Sequence, residues 1–141
     1  MSKMIFVNLP VQDLERTRAF FTALGFTFNP QFSDENALGM VIDEDNGIHA
    51  MLLLEPFFKT FTPKGKEIAD ATRTTETIIA LSAESRAEVD DLAERALANG
   101  GSPANEPMDE GFMYGRSFQD PDGHVWEVVW MDPAAMESAG S

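Results

Sequence analysis

Phe6-Val7-Asn8-Leu9-Pro10-Val11-Gln12-Asp13-Leu14 runs an apolar strand into a helix cap, and 72 residues later the same order returns around Ser85-Arg86-Ala87-Glu88. Residues 4–9 form the strand, and Asp13 has the chemistry of an N-cap, a carboxylate that accepts from free amides of the first helical turn. Leu14, Thr17, Phe21 and Leu24 follow at helical spacing, and Gly25 supplies the stop. Strands are then expected over 26–32, 38–42 and 48–55, with Asp34-Glu35-Asn36 and the stretch 43–47 as turns. The second round starts with a strand over 75–81. Ser85-Arg86-Ala87-Glu88 is a capping box, Val89, Leu92, Ala93, Ala96 and Leu97 make one apolar helix face, and Asn99-Gly100-Gly101 ends it. Strands over 102–106, 112–119 and 125–131 follow, the last two joined by Asp120-Pro121-Asp122-Gly123.

Each half therefore reads strand, helix, strand, strand, strand. Superposing Asp13 on Ser85 also sets Phe6 over Ile78 and Glu55 over Glu127. Within a single domain spanning 1–141, module one covers about 4–55, a linker 56–74, and module two about 75–131. Phe57, Phe58 and Phe61 give the linker the look of a lid or a subunit contact rather than a loose tether.

Composition narrows the function. Hydrophobic residues make up 43% of the 141, enough for a core, and 24 acidic against 10 basic residues give a net charge of −14. That surface repels phosphate backbones and anionic headgroups, so no nucleic acid and no membrane is expected as partner. With no cysteine, disulfides, thiolate metal sites and cysteine nucleophiles are excluded. The N-terminus lacks the pattern of a signal peptide and the apolar run 50–54 is too short to span a bilayer, so a cytoplasmic protein is expected. No phosphate loop, dinucleotide fingerprint, zincin motif or serine-hydrolase elbow occurs.

The opening strand with Val11-Gln12-Asp13-Leu14 and Phe20-Phe21-Thr22-Ala23-Leu24-Gly25-Phe26, together with Ser117-Phe118-Gln119-Asp120-Pro121-Asp122-Gly123-His124-Val125-Trp126-Glu127, resembles the vicinal-oxygen-chelate superfamily. That superfamily holds glyoxalase I, bleomycin-resistance proteins and extradiol dioxygenases, and the nearest likeness is to its glyoxalase-like, lactoylglutathione-lyase-like group. The resemblance implies an α+β fold of two βαβββ modules about a pseudo-twofold axis, forming a curled eight-stranded mixed sheet. It also implies a half-open cup in which a divalent metal chelates two neighbouring substrate oxygens. The ligand positions of the family fall on Phe6, Ile78, Glu55 and Glu127. Two keep carboxylates and two carry apolar side chains with no lone pair to give.

Strand parity extends that set. Residues two apart share a face, so His49 and Met51 are expected in the cup with Glu55, and Asn8 with Phe6. Tyr114 and Arg116 alternate on the next-to-last strand, either lining a pocket or forming a hairpin core, and Arg116 is a candidate ion-pair partner for Glu127. Glu76 shares parity with Ile78, and His124 sits in the turn before the last strand, away from the cup. Two functions stay open. One is a lyase or isomerase of the glyoxalase I kind, with Glu55 and Glu127 as ligand and general base on an α-hydroxycarbonyl or glutathione adduct. The other is a metal-free protein that sequesters a small aromatic or antibiotic molecule. Either is expected to be a homodimer, because open sheet edges are usually covered.

Overall fold

The computed structural model describes residues 3–135, which fall into two compact units divided between Asp70 and Ala71. The boundary lies inside the expected linker. The first unit holds β1 (Ile5–Val11), α1 (Leu14–Ala23), β2 (Thr27–Phe28), β3 (Ala37–Asp43), β4 (Ile48–Leu54) and α2 (Glu55–Lys59). The second holds β5 (Ile78–Ala83), α3 (Arg86–Ala98), β6 (Ser102–Pro103), β7 (Met108–Asp109), β8 (Met113–Gln119) and β9 (Val125–Met131). Each unit forms its own mixed sheet, ordered β1-β4-β3-β2 in one and β5-β9-β8-β6 in the other, with β7 also paired to β8. Neither sheet closes into a barrel. The α+β class and the repeated module stand.

Both helix starts behave as their sequences imply. Asp13 accepts from the Arg16 amide at 3.1 Å, and Ser85 from the Glu88 amide at 3.0 Å. In the capping box, Glu88 reaches back to the amide of Glu84 rather than to that of Ser85. Helix α1 buries Thr17, Phe20 and Phe21 against β3 and β4, whose Leu38, Met40, Ala50 and Leu52 are sealed from solvent. Helix α3 buries Val89, Ala93 and Ala96 on the side of its sheet that carries Phe118, Trp126 and Val128. A fully buried side chain of this size contributes about 2–3 kcal/mol by leaving water, so these two helix–sheet contacts supply most of each core.

Several boundaries differ from expectation, each for a local reason. The strand expected over 26–32 is cut to two residues, because Asn29 caps a 3-10 turn at Pro30–Phe32 through its side-chain oxygen. The strand expected over 48–55 stops at Leu54, where Pro56 suits the first turn of α2. Glu55 is thus the first residue of a short helix, not the last of a strand. The second strand of module two, expected over 102–106, is cut to the two residues of β6, since Pro103 and Pro107 cannot donate to a ladder, and a further short strand, β7, pairs with β8 beyond it. Pro10 is accepted within β1 because that strand is at the edge of its sheet. Among the described residues no helix is long and apolar enough to cross a membrane.

The turn before β9 is built on one buried carboxylate. Asp120, 4% exposed, accepts from the amides of Asp122 and His124 and from Trp126 Nε1, all at 3.0 Å. Burial pushes its carboxyl above the ordinary range, and His124 and the three donors pull it back. Gly123 closes the turn at φ +92°, where a Cβ would come within 2.8 Å of the Ala71 carbonyl oxygen. Asp120→Ala leaves one buried and two partly buried donors without an acceptor, so urea unfolding is expected to show a loss of about 2–4 kcal/mol. Asp120→Asn, which keeps one oxygen, should lose less, and an unchanged midpoint in the Ala variant would refute the role.

Candidate functional site

Parity in the second sheet follows from what α3 covers. Trp126, Val128 and Trp130 alternate with Val125, Glu127, Val129 and Met131 along β9, and the first set lies on the helix side. The second set shares its face with Ile78, Ala80 and Ser82 of β5, and with Met113, Gly115 and Ser117 of β8. Among the described residues of this unit no helix packs on this face. Ile78, at the start of β5, is 52% exposed and Met131, at the end of β9, 36%.

Glu127 stands half-buried on that face, with Ala80 and Ser117 as its cross-strand neighbours. No hydrogen bond or ion pair to another described residue holds its carboxylate. On one side is a cavity of about 100 Å³ lined by Glu106, Met108, Gly115, Glu127 and Val129, and bordered by Arg116. On the other is a shallow, mainly apolar depression of about 230 Å³ over Ala80, Ser82, Val129 and Met131. Val129 borders both. Segment 104–107 arches across this face, and Ser117 Oγ replaces a missing ladder bond by accepting from the Asn105 amide at 2.8 Å.

In the first sheet, β1 and β4 put Phe6 beside His49 and Asn8 beside Met51 on the face away from α1. Four of the expected site residues are therefore brought together. The rings of Phe6 and His49 stack at 4.7 Å, with Phe32 set edge-on to Phe6 at 6.3 Å. His49 is buried, and its Nε2 has no partner among the described residues.

The ladders correct the expected pairing of carboxylates. The caps keep Phe6 matched with Ile78 and Asn8 with Ala80, yet 43 residues separate Phe6 from its partner His49 and 47 separate Ile78 from its partner Val125. The counterpart of Glu127 is therefore Met51, and Glu55 lies exposed at the start of α2. Tyr114 is corrected too, and Arg116 borders the cavity but turns its guanidinium the other way. They share the helix-side face with Phe118, where Tyr114 donates to Asp90 at 2.5 Å and Arg116 bonds Asp90 at 3.3 Å and Glu94 at 2.8 Å. Arg116 is thus committed to α3 and is not the ion-pair partner of Glu127. Glu106 and Met108 escaped the sequence reading because Glu106 was taken as the end of a strand and Met108 fell between two expected strands. Glu106-Pro107 was the available signal that the strand breaks there.

A divalent metal does not fit these residues. Around Glu127 the cavity adds one further carboxylate, Glu106, but no imidazole, the paired strand positions Ala80 and Ser117 offer one hydroxyl, and the matching position in the first sheet is a thioether between Asn8 and Gly39. Among the described residues no three His, Asp or Glu side chains gather as a metal would require.

Two βαβββ units, each with a helix on one face of its own mixed sheet, define the class of protein. Residues 3–128 match the Glyoxalase/Bleomycin resistance protein/Dioxygenase superfamily, and the chain belongs to that family. A hypothetical protein, SA1046 from S. aureus, is similar at 30% identity and a TM-score of 0.73, over 92% of this chain and 95% of that one. A family enzyme from Burkholderia phytofirmans PsJN has a TM-score of 0.74 at 16% identity, over 89% and 96%. The fosfomycin resistance protein FosX from Mesorhizobium Loti shares the fold at a TM-score of 0.65 and 17% identity, over 97% and 98%. No curated protein matches.

One ion pair near the site has a clear acid signature. Asp109 accepts two bonds from the Arg86 fork, at 2.9 and 3.0 Å, and one from the Gly111 amide at 3.0 Å. Arg86 first, then Gly111, hold its carboxyl down at about 2 from an ordinary 3.8. Since the folded value is the lower one, the stability this pair adds is present above the ordinary value and is lost as pH falls toward about 2. Urea unfolding followed across that window is expected to fall less steeply for Asp109→Asn than for the parent. Parallel curves would show that the pair contributes nothing.

Proposed function

We propose that the chain binds a small, largely apolar molecule carrying an ammonium or other hydrogen-bond-donor group, and that it does so without a metal. The observation that carries this is the half-buried, unpartnered Glu127 between a small acidic cavity and an apolar depression. Few polar groups among apolar walls are the usual make-up of a small-molecule site. Glu127 and Glu106 attract a positive or donor head, and Ala80, Val129 and Met131 suit an apolar body. The overall charge of −14 favours the approach of cations.

A lyase of the glyoxalase I kind is the weaker reading, because Phe6 and Ile78 give no ligand atoms and Glu55 is out of register with Glu127. In the preferred reading the protein is a cytoplasmic homodimer that sequesters its ligand. Phe6, Asn8, His49 and Met51 form a second apolar surface with few polar groups, available to the same or another ligand.

Benzylamine serves as a first probe, with toluene and benzoate as controls. Benzylamine at about 100 times its Kd should stabilise the folded chain by about 2.7 kcal/mol, and Glu127→Gln should remove most of that gain while the free protein unfolds as before. Nickel, zinc and manganese should give no saturable heat of binding. Stoichiometric metal binding that Glu127→Gln abolishes would overturn the metal-free reading and restore the lyase. Equal benzylamine binding by parent and Glu127→Gln would remove this face as the site.

A further inference from the structure

The wall of the Glu127 cavity hangs on a slender element. Strand β7 is two residues long, Met108 paired with Gly115 and Asp109 with Tyr114. Side chains alternate across a strand, so its two residues serve opposite faces. Met108 lines the cavity, where its methyl fills the space left by the missing side chain of Gly115, 3.5 Å from where a Cβ would stand. Asp109 turns to the helix side and meets Arg86 at the start of α3. A two-residue ladder is too short to hold a wall by itself.

Arg86 is well prepared for that task. Its guanidinium carbon lies 4.9 Å from the centre of the Tyr114 ring and 5.2 Å from that of Trp130. Besides both Asp109 oxygens it bonds the Gly111 carbonyl at 2.9 Å. The planar fork, held close to two rings, spans the whole hairpin turn from Asp109 to Gly111, which a lysine could not do.

We propose that Arg86 is a positioning residue for the Glu127 cavity: by clamping Asp109 and Gly111 from the helix side, it sets Met108 against Gly115 on the other. The assignment rests on the Glu127 cavity being the binding site, but its test reads the wall and not a ligand, so the two can fail separately. Cavity access becomes a property of the α3–hairpin contact. Loosening the clamp lets β7 lift, which opens the 100 Å³ cavity to water and weakens its selection of a small head group.

The chain contains no cysteine, so Met108→Cys supplies a unique thiol on the cavity side of β7. Its alkylation by iodoacetamide reports how often the wall lifts. In that background Arg86→Gln is expected to raise the rate about tenfold, Asp109→Asn to do the same, and the two together to add little, as for residues that act through one contact. Arg86→Lys should fall between, keeping the charge but not the fork. Arg95→Gln, which removes an exposed pair with Asp91 on the same helix, should leave the rate unchanged. Unfolding midpoints of all variants separate local lifting from global loss. Rates for Arg86→Gln and Asp109→Asn within about twofold of the parent would overturn the proposal, as would an equal rise in Arg95→Gln. If Arg86→Gln does not fold, Asp109→Asn decides alone, since it cuts the clamp at the far end.

Discussion

A single helix can cover only one face of a sheet, and in both units that limit decides what every strand residue does. Helix α3 takes Phe118, Trp126 and Val128 into its core, and the alternation of side chains then leaves Ile78, Ala80, Glu127 and Met131 on the other side. The same constraint under α1 leaves Phe6, Asn8, His49 and Met51 opposite Leu38, Met40, Ala50 and Leu52. In the second unit the exposure of that face follows from having five strands and one long helix, while in the first His49 is itself buried beside Phe6, and a buried core on one side makes the register hard to slip by a residue.

Much of this was legible beforehand, and the reasons are specific. Asp13 and Ser85 act as caps because short polar side chains have few other uses beside an apolar run. Trp126 and Trp130 against Glu127 gave the parity of β9, since alternation survives almost any tertiary setting. What escaped was spacing across loops. Four extra residues between the paired strands of the second unit shift the repeat, so an offset taken from the caps matches the first strands and misplaces the last. Glu55 looked equivalent to Glu127 for that reason alone. Pro56 then ends β4 one residue early, a local preference that a pattern of alternating residues hides.

The misreading of Tyr114 and Arg116 has another origin. Both are amphipathic, and an arginine on a sheet face suggests a ligand until the acids nearby are counted. Asp90 and Glu94, one turn apart on α3, take up the hydroxyl and the guanidinium, and so turn a polar pair into part of the helix–sheet contact. Which face a polar strand residue serves depends on what the helix above presents, and that register is not carried by the strand itself.

Both tryptophans of the chain lie on β9, at positions 126 and 130, one sealed in the core and one half-buried under the Arg86 guanidinium. Intrinsic emission is accordingly blind to the first unit and reports the second alone. Excited at their red edge, the two indoles act as paired optical gauges, Trp126 for the core beneath α3 and Trp130 for the hairpin contact. A chain whose first unit melts separately would show a circular-dichroism transition with no fluorescence counterpart, so agreement or disagreement between the two signals measures how cooperatively the halves unfold.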